Sequence, residues 1–205
     1  MNPFVSIITV TYNAEVFLEK TILSILKQTF SDFEYVIIDG LSKDSTVDII
    51  KKYEQQIQNQ KFTISSEQFR WISEPDKGLY DAMNKGIAMA KGKFIWFINA
   101  GDKIHSTDTL MNIYSLYKNN STSDILYGQS LMIDQNDKAL GERHKIAPEN
   151  LSKKCLLNGL VVCHQSILVK KEMVPFYNLD YKIASDYDWV IHVVSQSKQN
   201  LYING

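Results

Sequence analysis

The sequence predicts an α/β protein: a mostly parallel central sheet flanked by helices on both faces. Two observations carry this expectation. Through the first hundred residues, short apolar runs rich in β-branched side chains alternate with longer segments whose apolar residues fall at helical spacing. Such alternation builds parallel strands joined by crossover helices. The ends of the strands are also polar: Thr11-Tyr12-Asn13, Asp39-Gly40, Glu74-Pro75-Asp76 and Asn99-Ala100-Gly101-Asp102. Open sheets of this kind bind ligands at the carboxyl ends of their strands.

Taken in order, residues 4–11 (FVSIITVT) read as a buried strand. Asn13 is placed to cap a helix over about residues 14–27, with Phe17, Ile22, Ile25 and Leu26 on its apolar side. Residues 33–39 (FEYVIID) form a second buried strand, and Asp44 or Ser45 caps a helix that ends in the polar stretch 55–61. Residues 69–73 are a short strand, 79–91 a helix stopped by Gly92, and 93–98 (KFIWFI) another buried strand. The second half is less regular. Residues 107–118 read as a helix, 124–133 and 139–144 as strands around a turn at 134–137, 164–169 as a strand, and 187–197 as a helix. No terminating element is expected at Tyr202-Ile203-Asn204-Gly205, which suggests a chain cut short. One domain is expected over 1–205, with a regular half at 1–102 and a more variable half at 103–205.

Composition narrows the function. The 205 residues are 44% hydrophobic and 22% charged, as in ordinary globular proteins. With Lys plus Arg at 22 and Asp plus Glu at 23, the net charge of −1 provides no basic field for nucleic acid. Two cysteines, Cys155 and Cys163, make neither a disulfide framework nor a four-ligand zinc site, and fit a reducing, cytoplasmic setting. No secretory signal or membrane-spanning run is expected, so the sequons at Asn120 and Asn150 read as chance matches. No GxGxxG follows the first strand and no GxxxxGK[ST] occurs, which argues against dinucleotide and P-loop sites.

Several residues have both a structural and a chemical reading. Asp39 caps a turn or accepts a hydrogen bond from a bound nucleoside. Asp102 caps the next helix or, with Asn99, gives oxygen ligands to Mg²⁺ or Mn²⁺. Asp186 begins a helix, where an acidic residue is favourable in any case. Asp188 lies two residues on and cannot face the same side. His164 reads as a structural hydrogen bonder or a ligand, and Trp71, Trp96 and Trp189 as core residues or pocket walls.

The stretches VSIITVTYN, KQTFSDFEYVIIDGLSKDST, ISEPDKGLYDAMNKGIAMAKGKFIWFINAGD, CHQSILV and LDYKIASDYDW, spread over residues 4–190, resemble the family 2 glycosyltransferases of GT-A fold, and among them bacterial transferases of colanic-acid and capsule assembly. The resemblance implies a nucleotide-sugar-binding GT-A fold. It implies nucleotide contacts from Thr11, Tyr12 and Asp39, with Asp76, Gly78, Ala82 and Asn84 beside the sugar diphosphate. It implies a metal ligand at Asp102, a catalytic base at Asp186, and sugar or acceptor contacts at His164 and Gln165. Three departures stand out: Asn99 lies where the first metal-motif carboxylate is missing; Ser185 stands where the base motif often has Glu, so Asp188 remains a competitor to Asp186 as the base; and Met83 stands where many relatives carry Arg, leaving Lys77, Lys85 or the metal to neutralise the pyrophosphate.

The implied reaction is an inverting transfer from a UDP- or GDP-sugar to a hydroxyl of a saccharide or lipid-linked acceptor in surface polysaccharide synthesis. It would take place in the cytoplasm, with peripheral contact at the inner face of the membrane. A sugar nucleotidyltransferase and a non-catalytic binding relative are the alternatives. Against the first stands Thr11-Tyr12-Asn13-Ala14 in place of a Gly- and Arg-rich loop, and against the second the retention of Asp39, Asp102 and Asp186.

Overall fold

In a computed structural model, which describes residues 2–204, the chain builds a seven-stranded sheet in the order β3-β2-β1-β4-β8-β5-β9 and a separate two-stranded β6-β7 hairpin. The expected end residue Gly205 lies outside the described residues. The strands are β1 (Val5–Thr11), β2 (Phe33–Asp39), β3 (Phe69–Ser73), β4 (Phe94–Phe97), β5 (Ile125–Gly128), β6 (Leu131–Ile133), β7 (Ala139–Glu142), β8 (Ile167–Lys170) and β9 (Asn200–Ile203). The helices are α1 (Leu18–Leu26), α2 (Thr46–Gln58), α3 (Leu79–Met89), α4 (Thr109–Asn119) and α5 (Ser185–Gln196).

β1 pairs in parallel with β2 and β4, β2 with β3, and β5 with β9, while β8 runs antiparallel to both β4 and β5. The sheet is therefore mostly parallel, as expected. Alternation along each strand splits the core into two layers. Val5, Ile7, Phe33, Tyr35, Phe94 and Trp96 face α1, α2 and α4, whereas Ile8, Val36, Ile38, Ile95 and Phe97 face α3 and α5. The first two crossovers travel outward from β1 on one face. The third, α3, returns on the other face to place β4 on the far side of β1. That reversal opens a crevice at the carboxyl ends of β1 and β4.

Several boundaries differ from expectation for local reasons. α1 begins at Leu18 because Asn13 does not cap it. Asn13 sits at φ 48°, its amide N–H donates to Ser42 Oγ (2.8 Å), and its own Oδ1 accepts from Lys43 N–H (2.9 Å). Gly92 is not a left-handed helix stop. It sits where a Cβ would lie 2.4 Å from the Ser6 nitrogen, so glycine is required there by a backbone-to-backbone approach. The expected strand over 124–133 is two strands, with β5 in the main sheet and β6 in the hairpin. Between them the Gln129 side chain bonds to the Ala147 main chain, and Ser130 to Ser166. His164–Ser166 is a 3-10 turn ahead of β8 rather than part of a strand. α5 starts at Ser185, ahead of the apolar spacing that begins at 187 and with the expected Asp186 in its first turn. The last residues, expected to carry no element, form β9 at the sheet edge beside β5.

Candidate functional site

A cavity of about 750 Å³ opens at the carboxyl ends of the first four strands. Its walls come from the ends of β1 (Thr11, Tyr12, Asn13), β2 (Gly40, Leu41, Lys43), β3 (Pro75, Asp76, Gly78) and β4 (Asn99, Ala100), with Leu79 and Ala82 from α3. Two strained positions shape its rim, since Asn13 and Leu41 both hold positive φ, at 48° and 63°. Gly78, at φ 114°, turns the chain into α3 while its N–H donates to Asp76 Oδ1 (2.8 Å). Tyr12 is 60% exposed, its ring standing free beside the opening. Thr11 Oγ1 and Asn99 Oδ1 are buried and have no hydrogen-bond partner among the described residues. A buried polar atom left unpaired costs stability, and both atoms belong to residues that line the cavity.

Of the expected nucleotide residues, Thr11, Tyr12, Asp76 and Gly78 line this cavity, together with Ala82. Asp39 and Asn84 do not. Asp39 is fully buried. Its Oδ1 accepts from Ser42 Oγ (2.5 Å), and its Oδ2 accepts from Ser42 N–H (3.0 Å) and from Ser73 Oγ (2.6 Å). Its carboxylate braces the ends of β2 and β3 rather than facing the opening. Asn84 spends both ends of its amide on one residue, donating to the Tyr177 carbonyl (3.0 Å) and accepting from the Tyr177 N–H (2.7 Å). Met83 is fully buried in the core, and Lys85 is tied to Glu74 (2.8 Å) and to the Pro75 carbonyl (2.6 Å). Lys43, which the sequence shows only as part of a turn, is the cation that lines the cavity.

The remaining candidates lie on the far side of β4. Asp102 and Gln165 line a second cavity of about 760 Å³, walled also by Trp96 and by residues of α4 and the β5–β6 connection. Burial pushes the Asp102 carboxyl above its ordinary value, opposed in part by the main-chain N–H it accepts from and by the Gln165 amide. Gln165 is itself held, its carbonyl accepting from Trp96 Nε1 (2.6 Å) and its Oε1 from the Cys163 thiol (2.6 Å).

His164 is buried beside Phe97 and Tyr177, and Tyr177 is sandwiched between Tyr80 and Trp189, with ring centroids 5.4 Å apart on each side. Burial lowers the His164 imidazole to about 4, with the nearby Asp186 charge pulling the other way. Asp186 sits in the first turn of α5, following Ala184 at φ 70°, and its Oδ1 accepts from the Tyr80 hydroxyl at 3.3 Å. Burial, then the Asp186 charge, raise the Tyr80 phenol, so it remains a donor. Asp188 turns to the other side of the helix, 3.5 Å from His192 Nδ1.

No cluster of three or more His, Cys, Asp or Glu side chains suited to a metal occurs among the described residues. Asn99 offers one unpaired amide oxygen and Asp102 one carboxylate, and they line different cavities. That donor set suits only a hard, largely hydrated cation whose remaining ligands are substrate phosphates.

The mostly parallel sheet, with its crevice at the reversal between β1 and β4, has the GT-A glycosyltransferase fold, which its solved structural neighbours show. Residues 6–175 match the model of the family described as "Glycosyl transferase family 2", and the chain belongs to that family. It is 31% identical over 196 residues to a "PGL/p-HBAD biosynthesis glycosyltransferase" of Mycobacterium bovis BCG, covering 94% of this chain and 70% of the relative. Among solved structures it resembles S. aureus TarS 1–349 in complex with UDP-GlcNAc, with a TM-score of 0.75 at 18% identity. It also resembles the mannosyltransferase PcManGT from Pyrobaculum calidifontis in complex with GDP-Man and Mn²⁺, with a TM-score of 0.62 at 16% identity. The alignments take in 99% of this chain but 56% and 57% of those two, so it spans little more than half of their length. No described helix is long and apolar enough to cross a membrane.

Proposed function

We propose that this chain carries the catalytic domain of an inverting glycosyltransferase that moves a sugar from a UDP- or GDP-sugar to a hydroxyl of a saccharide or lipid-linked acceptor in surface polysaccharide synthesis. The observation that carries the reading is the first cavity, with Thr11 Oγ1 and Asn99 Oδ1 left unpaired at the strand ends and the exposed ring of Tyr12 beside them. The nucleotide ligands of the two solved GT-A neighbours, UDP-GlcNAc and GDP-Man, support a donor of this class.

Tyr12 provides a face for the base, and Gly78 brings the first turn of α3 to the diphosphate, where helix N–H groups favour anions. Lys43 adds positive charge at the rim. Asp186 takes the proton of the acceptor hydroxyl as its oxygen bonds to the anomeric carbon. The bond from that carbon to the phosphate oxygen breaks on the opposite side, and the nucleoside diphosphate leaves with the electron pair. Base assistance of this kind is worth roughly 10²–10⁴-fold. A bound Mg²⁺ or Mn²⁺ would supply charge stabilisation to the leaving group; the substrate phosphates would hold it, with Asn99 the oxygen donor that lines the first cavity and Asp102 reaching it only from the second. His164 and Gln165 shape the acceptor side. The work is placed in the cytoplasm, with peripheral contact at the inner membrane face.

The test is release of nucleoside diphosphate from a panel of UDP- and GDP-sugars with saccharide and lipid-linked acceptors in the presence of Mg²⁺ or Mn²⁺. Acceptor-dependent release from at least one donor, with a product of inverted anomeric configuration, is expected. Release of pyrophosphate from a nucleoside triphosphate and a sugar phosphate would overturn the reading in favour of a nucleotidyltransferase.

A further inference from the structure

Among the described residues, one side chain hydrogen-bonds to the Asp186 carboxylate: the Tyr80 hydroxyl, which donates to Oδ1 at 3.3 Å. The Tyr177 hydroxyl and His164 Nε2 are buried nearby and unpaired, and both groups feel the Asp186 charge, yet neither bonds to it. Tyr80 is held from its other end. Its ring stacks on Tyr177 at an interplanar angle of 19°, and Tyr177 stacks on Trp189 at 8°. Phe97 meets Tyr177 and Trp189 edge-on, with centroids at 5.7 and 6.2 Å. Asn84, one turn along α3 from Tyr80, clamps the Tyr177 main chain. Trp189 lies on α5, one turn after Asp186, and its Nε1 donates to the Pro175 carbonyl (3.0 Å). A packed column of three rings therefore joins α3 to α5, and its α3 end sets a phenol against the carboxylate. Burial and the Asp186 charge raise that phenol, and the main-chain N–H groups of Asp186 and Ser185 oppose the rise, so its oxygen lies against the start of α5.

We infer that Tyr80 is the positioning residue for Asp186, fixing the carboxylate through Oδ1 so that Oδ2 is turned to the acceptor hydroxyl. The inference rests on the reading of Asp186 as the base and adds the group that aims it. A carboxylate in the first turn of a helix is drawn back toward the free N–H groups of its own helix. Folded back in that way, it would be spent as a cap. A phenol in front of the helix start competes for one carboxylate oxygen and also offers its own oxygen to the N–H groups behind. The 3.3 Å separation is long for an O–H···O bond, so the contact acts through direction more than through strength. Direction is what a general base requires, since it must lie within hydrogen-bond reach of the proton it removes. An error of about 1 Å in such placement costs on the order of 10²-fold. Tyr80 also ties the two halves of the reaction together. It stands on the helix whose Leu79 and Ala82 line the first cavity, so the element beside the donor also aims the base.

The test is Tyr80→Phe, which keeps the ring on Tyr177 and removes only the hydroxyl. With the donor and acceptor that turn over in the panel above, kcat is expected to fall about 10-fold, while donor KM and melting temperature stay close to the parent. A purely structural role would lower the melting temperature and leave kcat in place. A double-mutant cycle with Asp186→Asn separates action through the base from action elsewhere. Tyr80→Phe is expected to cost less than about threefold once Asp186 is already Asn, because an aimed amide has no proton to take. Parent-like kcat in Tyr80→Phe overturns the inference, and so does the same fold-loss in both backgrounds. If Asp186→Asn is as active as the parent, the base reading falls and the inference with it. If Asp186→Asn is impaired but Tyr80→Phe is not, only the inference falls. A protein that turns over no donor in the panel loses both.

Discussion

Asp186 and Asp188 are two residues apart and have different surroundings. Asp186 accepts from the Tyr80 hydroxyl and faces the aromatic wall of Tyr177 and His164, whereas Asp188 turns toward His192. Asp186→Asn keeps the shape and removes the basicity, so kcat is expected to fall by at least about 10²-fold with donor affinity and melting temperature nearly unchanged. Asp188→Asn is expected to affect stability more than turnover. Steady-state kinetics and thermal melts of the two variants decide it, and the opposite pattern would move the base to Asp188. Asp39 shows what a sequence conceals at this scale. A carboxylate at the end of a buried strand has one appearance in sequence whether it faces a ligand or a neighbouring loop. The partners that close it, Ser42 and Ser73, come from two different segments that only the fold brings together. Removing it in Asp39→Ala leaves those donors unpaired, for an expected cost of about 3 kcal/mol and a fall of about 6–12 °C in melting temperature. A variant that melts like the parent would show that the brace contributes nothing.

At the scale of elements, α3 separates two kinds of work around its axis. Gly78, Leu79 and Ala82 line the first cavity, while Tyr80 and Asn84, four residues apart and so on one face, reach Asp186 and the Tyr177 main chain. The helix was legible from its apolar spacing. The division of its faces was not, because Asn84 looks equally suited to a ligand and to a main-chain clamp until Tyr177 is in place. The same holds for glycines. Gly92 reads as a helix stop and Gly78 as a diphosphate contact, yet a Cβ at Gly78 would have nothing within 4 Å and one at Gly92 would strike the Ser6 backbone. Gly92→Ala is therefore expected to destabilise by about 3 kcal/mol through overpacking that the β1 backbone cannot relieve. Gly78→Ala acts instead by straining the positive φ at the cavity rim. Denaturant titration measures the first, and nucleotide affinity the second. A Gly92→Ala protein as stable as the parent would mean that the approach to Ser6 relaxes freely.

At the scale of the molecule, the first half was legible because parallel strands buried on both faces write themselves as unbroken apolar runs, as in β1 and β2. The second half was less so. β5, β8 and β9 are four residues each, and β9 gains its place at the sheet edge only by pairing with β5, some 75 positions earlier in the sequence. Folding these halves together buries His164 between the layers, 5% exposed and with Nε2 unpaired among the described residues, and that burial sets a pH dependence for the whole structure. An unfolded chain takes up a proton on this imidazole near 6.5, whereas the folded one resists it down to about 4. Between those values the unfolded state binds more protons, so stability is present above pH 6.5 and is lost as pH falls toward 4. The full gap corresponds to about 3 kcal/mol. Glu34 acts in the same direction. Burial raises its carboxyl, but hydrogen bonds from Ser6, the Lys91 N–H and Arg70 outweigh that and hold it below its ordinary value. A single pH series would mix the two contributions, and His164→Phe separates them by removing the titrating ring nitrogen while keeping an aromatic ring against Phe97. Denaturant unfolding at pH 7 and pH 4.5 is expected to show the parent losing about 2–3 kcal/mol more than His164→Phe over that interval. Parallel losses in the two proteins would mean that the imidazole is protonated in the folded state well above pH 4.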